Sequence, residues 1–189
     1  MTRVDPVTLL SDAGDYFISR LALVPDGGWD APTPCPGWTV RVVAAHVVNG
    51  FPMIRSLLAQ QPWDPADRNR DILGDDPVST ARTELALAIA ALREPGALDV
   101  VVAAPPGPLP ASAFAAIRAV DTVVHGWDLA TGAGVDPAIP DRLAQAVLAA
   151  TPSQTLEAGR RAGVFGPAVQ IGPDADHRTR LLALFGRQP

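Results

Sequence analysis

Apolar positions in this chain recur mostly at helical spacing. Val7, Leu10, Phe17, Leu21 and Val24 form a first stripe. It is opened by Asp5-Pro6, a capping carboxylate followed by a proline at the first helical position, and closed by the turn residues Pro25 to Gly28. A second stripe, Val40, Val43, Val47 and Met53, follows Thr39 as its cap and carries His46. Pro52 is expected to kink that helix or end it early. A third opens at Asp76-Pro77 and runs through Leu85, Ile89 and Leu92 until Pro95-Gly96 stops it. The fourth is the clearest, with Ser112 as cap, Ala113 to Ala130 as body and Gly132 as the closing residue.

Between these stripes the pattern is looser. Gln61 to Asp75 is polar and rich in turn residues, which predicts a long loop. Asp99 to Ala104 (DVVVAA) predicts a short strand with no evident partner, and Pro105 to Pro110 an extended connection. Further on, Asp141 to Ala150 is expected to be helical, Val164 to Ile171 extended, and Arg178 to Phe185 a short terminal helix before Gly186. The expectation is an all-α fold: a four-helix bundle with helices starting near Val7, Val40, Pro77 and Ala113, long connections, and a short, partly extended C-terminal segment. Strands do not alternate with helices, and neither a dinucleotide glycine fingerprint nor a phosphate loop is present, so a doubly wound nucleotide fold fits poorly.

Composition narrows the class. The 189 residues are 48% hydrophobic, enough for one well-filled domain spanning 1–189, whereas two halves would each have a thin core. No apolar run has the length of a membrane span. Asp5, Asp12 and Asp15 fall where a signal peptide needs an apolar core. Cys35 is the single cysteine, which rules out an intrachain disulfide and fits a reducing, cytoplasmic setting. A net charge of -5 argues against nucleic acid as the main partner. All basic residues are arginine, a bias that carries no functional message.

The chemistry concentrates on the fourth helix. Asp121 and His125 stand one turn apart on one face, with Phe114, Arg118 and Asp128 on or near it. A carboxylate and an imidazole so placed can grip one first-row divalent ion, and His46 supplies a third ligand if the second helix packs against the fourth. The same Asp/His pair also occurs as an ordinary surface ion pair worth a few tenths of a kcal/mol (roughly 0.2–0.5), and a lone histidine is often a hydrogen-bonded core residue. The apolar setting of His46, among Val42, Val43, Val47 and Gly50, makes an unpaired imidazole costly there, a cost that a metal removes. Asp128 is a candidate to hydrogen-bond a ligand from behind. Cys35 is either a fourth ligand, a reactive thiol or a buried structural residue, with the last preferred. Trp38 and Trp127 read as core or pocket wall, and His177 as solvated.

Two segments carry a resemblance. TPCPGWTVRVVAAHVVNG (Thr33 to Gly50) and RAVDTVVHGWDLATG (Arg118 to Gly132) resemble the metal-binding families of the DinB-like superfamily. Among these they are most similar to actinobacterial proteins related to the N-terminal domain of mycothiol-dependent maleylpyruvate isomerase. The ending DHRTRLLALFGRQP is similar to the C-terminus of that actinobacterial subgroup. The resemblance implies a DinB-like bundle in which the histidine of the first motif, and the acidic residue and histidine of the second, bind the metal. At the matching positions stand His46, Asp121 and His125, the same triad that spacing suggests. Aspartate replaces the glutamate of the isomerase, and the isomerase's further C-terminal domain finds no clear match, so maleylpyruvate isomerisation itself does not transfer.

Three protein ligands leave a coordination position open, as in catalytic rather than structural zinc sites. The first functional reading is therefore a thiol-dependent transferase or isomerase with a Zn2+-like cofactor, acting on a small molecule with mycothiol or a similar thiol as co-substrate. The individual catalytic residues stay unassigned. The alternative is a non-catalytic metal-binding module, such as a sensor, a carrier or a partner-binding bundle, and the plainest is a bundle with structural histidines. No membrane or nucleic-acid partner is expected. The oligomeric state stays open, a dimer being compatible with the sequence.

Overall fold

The structure is a computed structural model that describes residues 4–64, 66–67, 70–104, 107–151, 156–157, 160–161 and 166–188. Four long helices form the bundle: α1 (Pro6–Leu21), α2 (Val40–Leu58), α3 (Pro77–Leu92) and α4 (Ala111–Ala133). A two-stranded hairpin, β1 (Val101–Ala104) and β2 (Gly107–Pro110), precedes α4, and the shorter α5 (Asp141–Ala149) and α6 (His177–Leu184) follow it. No helix among the described residues is long and apolar enough to cross a membrane.

The side chains that start the helices are largely those expected. Asp5, Thr39 and Asp76 accept from the backbone N–H groups of Thr8, Val42 and Ser79, filling orphan donors of the first turns. In packing, α1 lies against α4 and α3, and α2 against α3 and α4, which closes a ring of four helices. Phe17, Phe51, Leu10, Ile54 and Val43 fill its centre with 1% or less of their surface exposed. Tyr16 donates its hydroxyl to the Pro137 carbonyl, and Arg20 pairs with Asp136, so the α4–α5 connection is tied to α1. On the other side, His177 keeps the solvent exposure expected from its charged surroundings and pairs with Asp141 at the surface, which links α6 to α5.

Several boundaries differ from expectation. The first helix ends at Leu21, a turn before Val24, the residue that Pro25 biases away from helical backbone. Pro52 does not end α2, which continues to Leu58 while Phe51 and Ile54 bury themselves around it. Ser112 is not the cap of α4. The helix begins at Ala111, two residues before the expected Ala113, after Pro110, and the Ala111 N–H is satisfied by the Val100 carbonyl at 2.8 Å. The hairpin thus provides the acceptor that a capping side chain would. Gly132 does not close α4 either: the left-handed residue is Gly134, at φ +69.

The strand at β1 does have a partner. Gly107–Pro110 pairs with it antiparallel, in register Val101↔Pro110 to Ala104↔Gly107. Prolines at alternate positions, Pro108 and Pro110, leave Gly107 and Leu109 to serve as donors on one side of the strand. Pro105 and Pro106 of the expected connection lie outside the described residues, as do Val164 and Phe165 of the expected extended stretch. Within the rest of that stretch, the Val169 N–H reaches the Ala183 carbonyl of α6.

Candidate metal centre

Four polar residues of α4, Arg118, Asp121, His125 and Asp128, follow one another at steps of three, four and three. Such steps put all four on one helical face. That face looks toward α2, which presents His46 and, one turn later, Gly50. A Cβ on Gly50 would lie 1.8 Å from Arg118 Nη2, so the bare backbone there is what admits the guanidinium between the helices. Arg118 Nη2 donates to the Val47 carbonyl at 3.4 Å, and Nη1 sits 3.0 Å from Asp121 Oδ2.

This packing brings the three expected ligands together. His46 Nε2 lies 3.5 Å from Asp121 Oδ2, and His125 Nε2 lies 3.6 Å from Asp121 Oδ1. One ligand atom from each of the three falls within 4.8 Å of the others. Two ligands at 2.0–2.2 Å from a tetrahedral zinc stand about 3.3–3.6 Å apart, so the spacing suits a shared ion. Asp121 Oδ2 is buried, and although Arg118 and His46 are near, no donor meets it along a hydrogen-bond direction. An acceptor left unfilled at that point is a further feature that a cation satisfies.

Behind His125 lies a second layer. Its Nδ1 is 3.0 Å from Asp128 Oδ2, and Asp128 is fully buried. With the ring N–H at Nδ1 donated to this carboxylate, Nε2 is the nitrogen turned toward Asp121. Asp128 also accepts from the Cys35 thiol at 3.1 Å and from Arg187 at 3.1 and 2.7 Å. Arg187 Nη2 is 3.3 Å from Cys35 Sγ as well. Trp38 covers the pair of imidazoles, its ring centroid 4.9 Å from that of His46 and 5.7 Å, nearly parallel, from that of His125.

Charge follows from this arrangement. Burial works to raise the Asp121 carboxyl, but Arg118 first, then His125 and His46, hold it well below the usual range. Burial pushes the His46 imidazole down despite Asp121 beside it. For His125 the burial cost is outweighed by Asp121 and by hydrogen bonds to Asp128 and Cys35, and its pKa is pushed up to about 10. The carboxyl of Asp128, although buried, is lowered by its bonds to His125 and Arg187.

Cys35, His125 and Asp128 form a second group whose ligand atoms approach within 4.8 Å. It is the poorer cation site, because the Arg187 guanidinium already touches two of its three ligand atoms and would repel a second positive charge. Cys35 is a free, buried thiol. Of the residues singled out in the sequence, His46, Asp121, His125 and Asp128 meet here with Cys35, Trp38 and Arg118, while Trp127 is buried in the core. Arg187 lies in the ending DHRTRLLALFGRQP but was not singled out as a site residue, since its partner Asp128 lies 59 residues away with no period to connect them.

Comparison with known proteins bears on the whole of this region. The family described as the mycothiol maleylpyruvate isomerase N-terminal domain matches residues 10–130, which run from within α1 to near the end of α4 and include all three candidate ligands. Two uncharacterized proteins from two strains of Mycobacterium tuberculosis are 29% identical over 188 residues, covering 97% of this chain and 98% of theirs. Among solved structures, the mycothiol-dependent maleylpyruvate isomerase superposes with a TM-score of 0.64 at 22% identity, over 82% of this chain and 68% of that one. A mutant of the same enzyme gives 0.59 at 20% identity with the same coverage. At these identities the likeness to the solved structures speaks to the fold.

Proposed function

The chain belongs to the family of the mycothiol maleylpyruvate isomerase N-terminal domain, and from that premise we propose that it binds one divalent, zinc-like ion through His46, Asp121 and His125 and uses the site with a small thiol. The observation that carries this reading is the convergence of the three ligand atoms within 4.8 Å. Family membership adds the thiol: a mycothiol-type compound as co-substrate in a transferase or isomerase reaction on a small molecule. The reading takes residues 1–189 as one domain and a reducing cytoplasm as its setting, where Cys35 stays a thiol.

When bound, an ion of this kind supplies Lewis acidity that favours a thiolate or hydroxide over its protonated form at neutral pH. The chain's own groups prepare the site for that. His46, whose burial disfavours its proton, offers a neutral imidazole. Asp121 offers a carboxylate that is ionised at neutral pH. Asp128 takes the Nδ1 proton of His125 in a hydrogen bond and so directs Nε2 inward. Trp38 keeps both rings packed on their outer side and limits water there.

The test is a titration of cobalt-loaded protein with a low-molecular-weight thiol. A thiolate-to-cobalt absorption band that grows to one equivalent supports the thiol reading. Cobalt binding with no such band points to the non-catalytic alternative, a sensor, carrier or partner-binding bundle. Failure to bind cobalt at all leaves a bundle with structural histidines.

A further inference from the structure

We propose that Arg187, which follows the C-terminal end of α6, is a positioning residue for this centre: it holds Asp128 against His125 and thereby orients the histidine. The inference rests on the metal reading above and extends it to a segment that no local pattern connects with the site.

The path to Arg187 begins in the core. Leu181 and Leu182 are fully buried and anchor α6 to the bundle. The helix then ends in a Schellman turn: the Gly186 N–H returns to the Ala183 carbonyl, and the Arg187 N–H to that of Leu182. Gly186 has φ +77, and a Cβ there would stand 3.0 Å from the Pro167 carbonyl oxygen. Glycine is therefore required both by conformation and by space. This turn aims Arg187 back at α4. Its Nη1 donates to the Phe185 carbonyl at 2.7 Å, while Nε and Nη2 fork onto the two oxygens of Asp128.

Such a two-pronged pair fixes a carboxylate in rotation as well as in position. Asp128 has no exposed surface, and leaving it without Arg187 would bury a carboxylate whose other partners are a thiol and the ring it is meant to orient. Loss of the fork frees the Asp128 side chain to turn. Turning it removes the acceptor that keeps the His125 Nδ1–H outward and Nε2 inward. Arg187 thus acts on the metal ligand through one intermediate, at a distance where it touches no ligand atom of the centre itself.

The experiment uses the full chain and cobalt(II) alone as probe, read by visible absorption. Arg187→Met and Asp128→Asn should each weaken cobalt binding about tenfold or more, the usual range for partners behind a ligating histidine. Each should also alter the shape of the absorption band. The double variant should bind no more weakly than Asp128→Asn, because Arg187 acts only through that carboxylate. Arg187→Lys keeps the charge but not the fork and should show a changed band with an intermediate loss, so it carries the test if Arg187→Met does not fold. Wild-type affinity and band in Arg187→Met, or in Arg187→Lys if the former is unfolded, overturns the inference. So does an Arg187→Met loss that persists undiminished in the Asp128→Asn background. A wild-type chain that binds no cobalt overturns the metal reading itself, and this inference with it.

Discussion

A proton on His125 is the residue-scale feature with the broadest consequences. Its pKa is pushed up to about 10 in the metal-free fold, against about 6.5 for an unperturbed imidazole. A raised pKa means that the fold gains stability from the charged ring below pH ~6.5 and loses that gain as pH rises toward 10. Metal binding works in the opposite direction, since Nε2 must be free of its proton to ligate. Zinc affinity is therefore expected to rise with pH across this window, with close to one proton released per ion at pH 7. Calorimetric titrations in buffers of different ionisation enthalpy measure that number; zero release would contradict the protonated, Asp121-paired state of His125. Gly50 gives a second expectation. Gly50→Ala places a methyl group on the Arg118 guanidinium, and overpacking of this kind should lower unfolding stability by about 1–3 kcal/mol in denaturant titrations. Wild-type stability would mean that Arg118 can leave Gly50 at little cost. The convergence of His46, Asp121 and His125 was legible in the sequence because Asp121 and His125 share a helical face and His46 lies in an apolar stripe. The partners of Asp128 were not, since Cys35 and Arg187 reach it across 93 and 59 residues with no period to mark them.

At the scale of elements, the four helices were legible wherever a cap and an apolar stripe agreed, as at Asp5, Thr39 and Asp76. The misjudged points share a cause, which is that tertiary contacts replaced local signals. The hairpin carbonyl of Val100 does for α4 what Ser112 was expected to do. Two alternating prolines disguised β2, although a strand paired on one side tolerates them. Gly132 looked like a helix stop, yet its role is close approach: a Cβ there would lie 2.8 Å from Thr33 Cγ2 and 2.9 Å from the Pro32 carbonyl oxygen. Gly134 is the residue with left-handed backbone. The two glycines should therefore respond differently to alanine. Gly134→Ala is expected to cost about 1 kcal/mol from backbone strain. Gly132→Ala should cost about 1–3 kcal/mol, because it forces the Pro32–Thr33 segment off the helix. Equal small losses in chemical denaturation would show that this segment is free to move, and with it the Cys35 and Trp38 side of the site.

Over the whole molecule, the centre draws on elements far apart in the chain. The Cys35–Trp38 turn and α2 approach from one side and α4 provides the face that bears Asp121 and His125, while the segment after α6 closes the layer behind His125. This arrangement explains how one helix can hold a polar row in an apolar interior: Arg118 pairs with Asp121 and His125 with Asp121 and Asp128 along the helix itself, while His46 and Arg187 reach the row from other elements. It also makes the site testable as a unit. The most direct measurement is the zinc content of purified protein, paired with zinc affinity, for the wild type and for His46→Ala, Asp121→Asn, His125→Ala and Cys35→Ser, with circular dichroism to show that helix content is kept. The account predicts one equivalent of tightly held metal in the wild type and in Cys35→Ser, and loss of tight binding in each of the other three. Metal absent from the wild type, or retained when His125 is alanine, would contradict it.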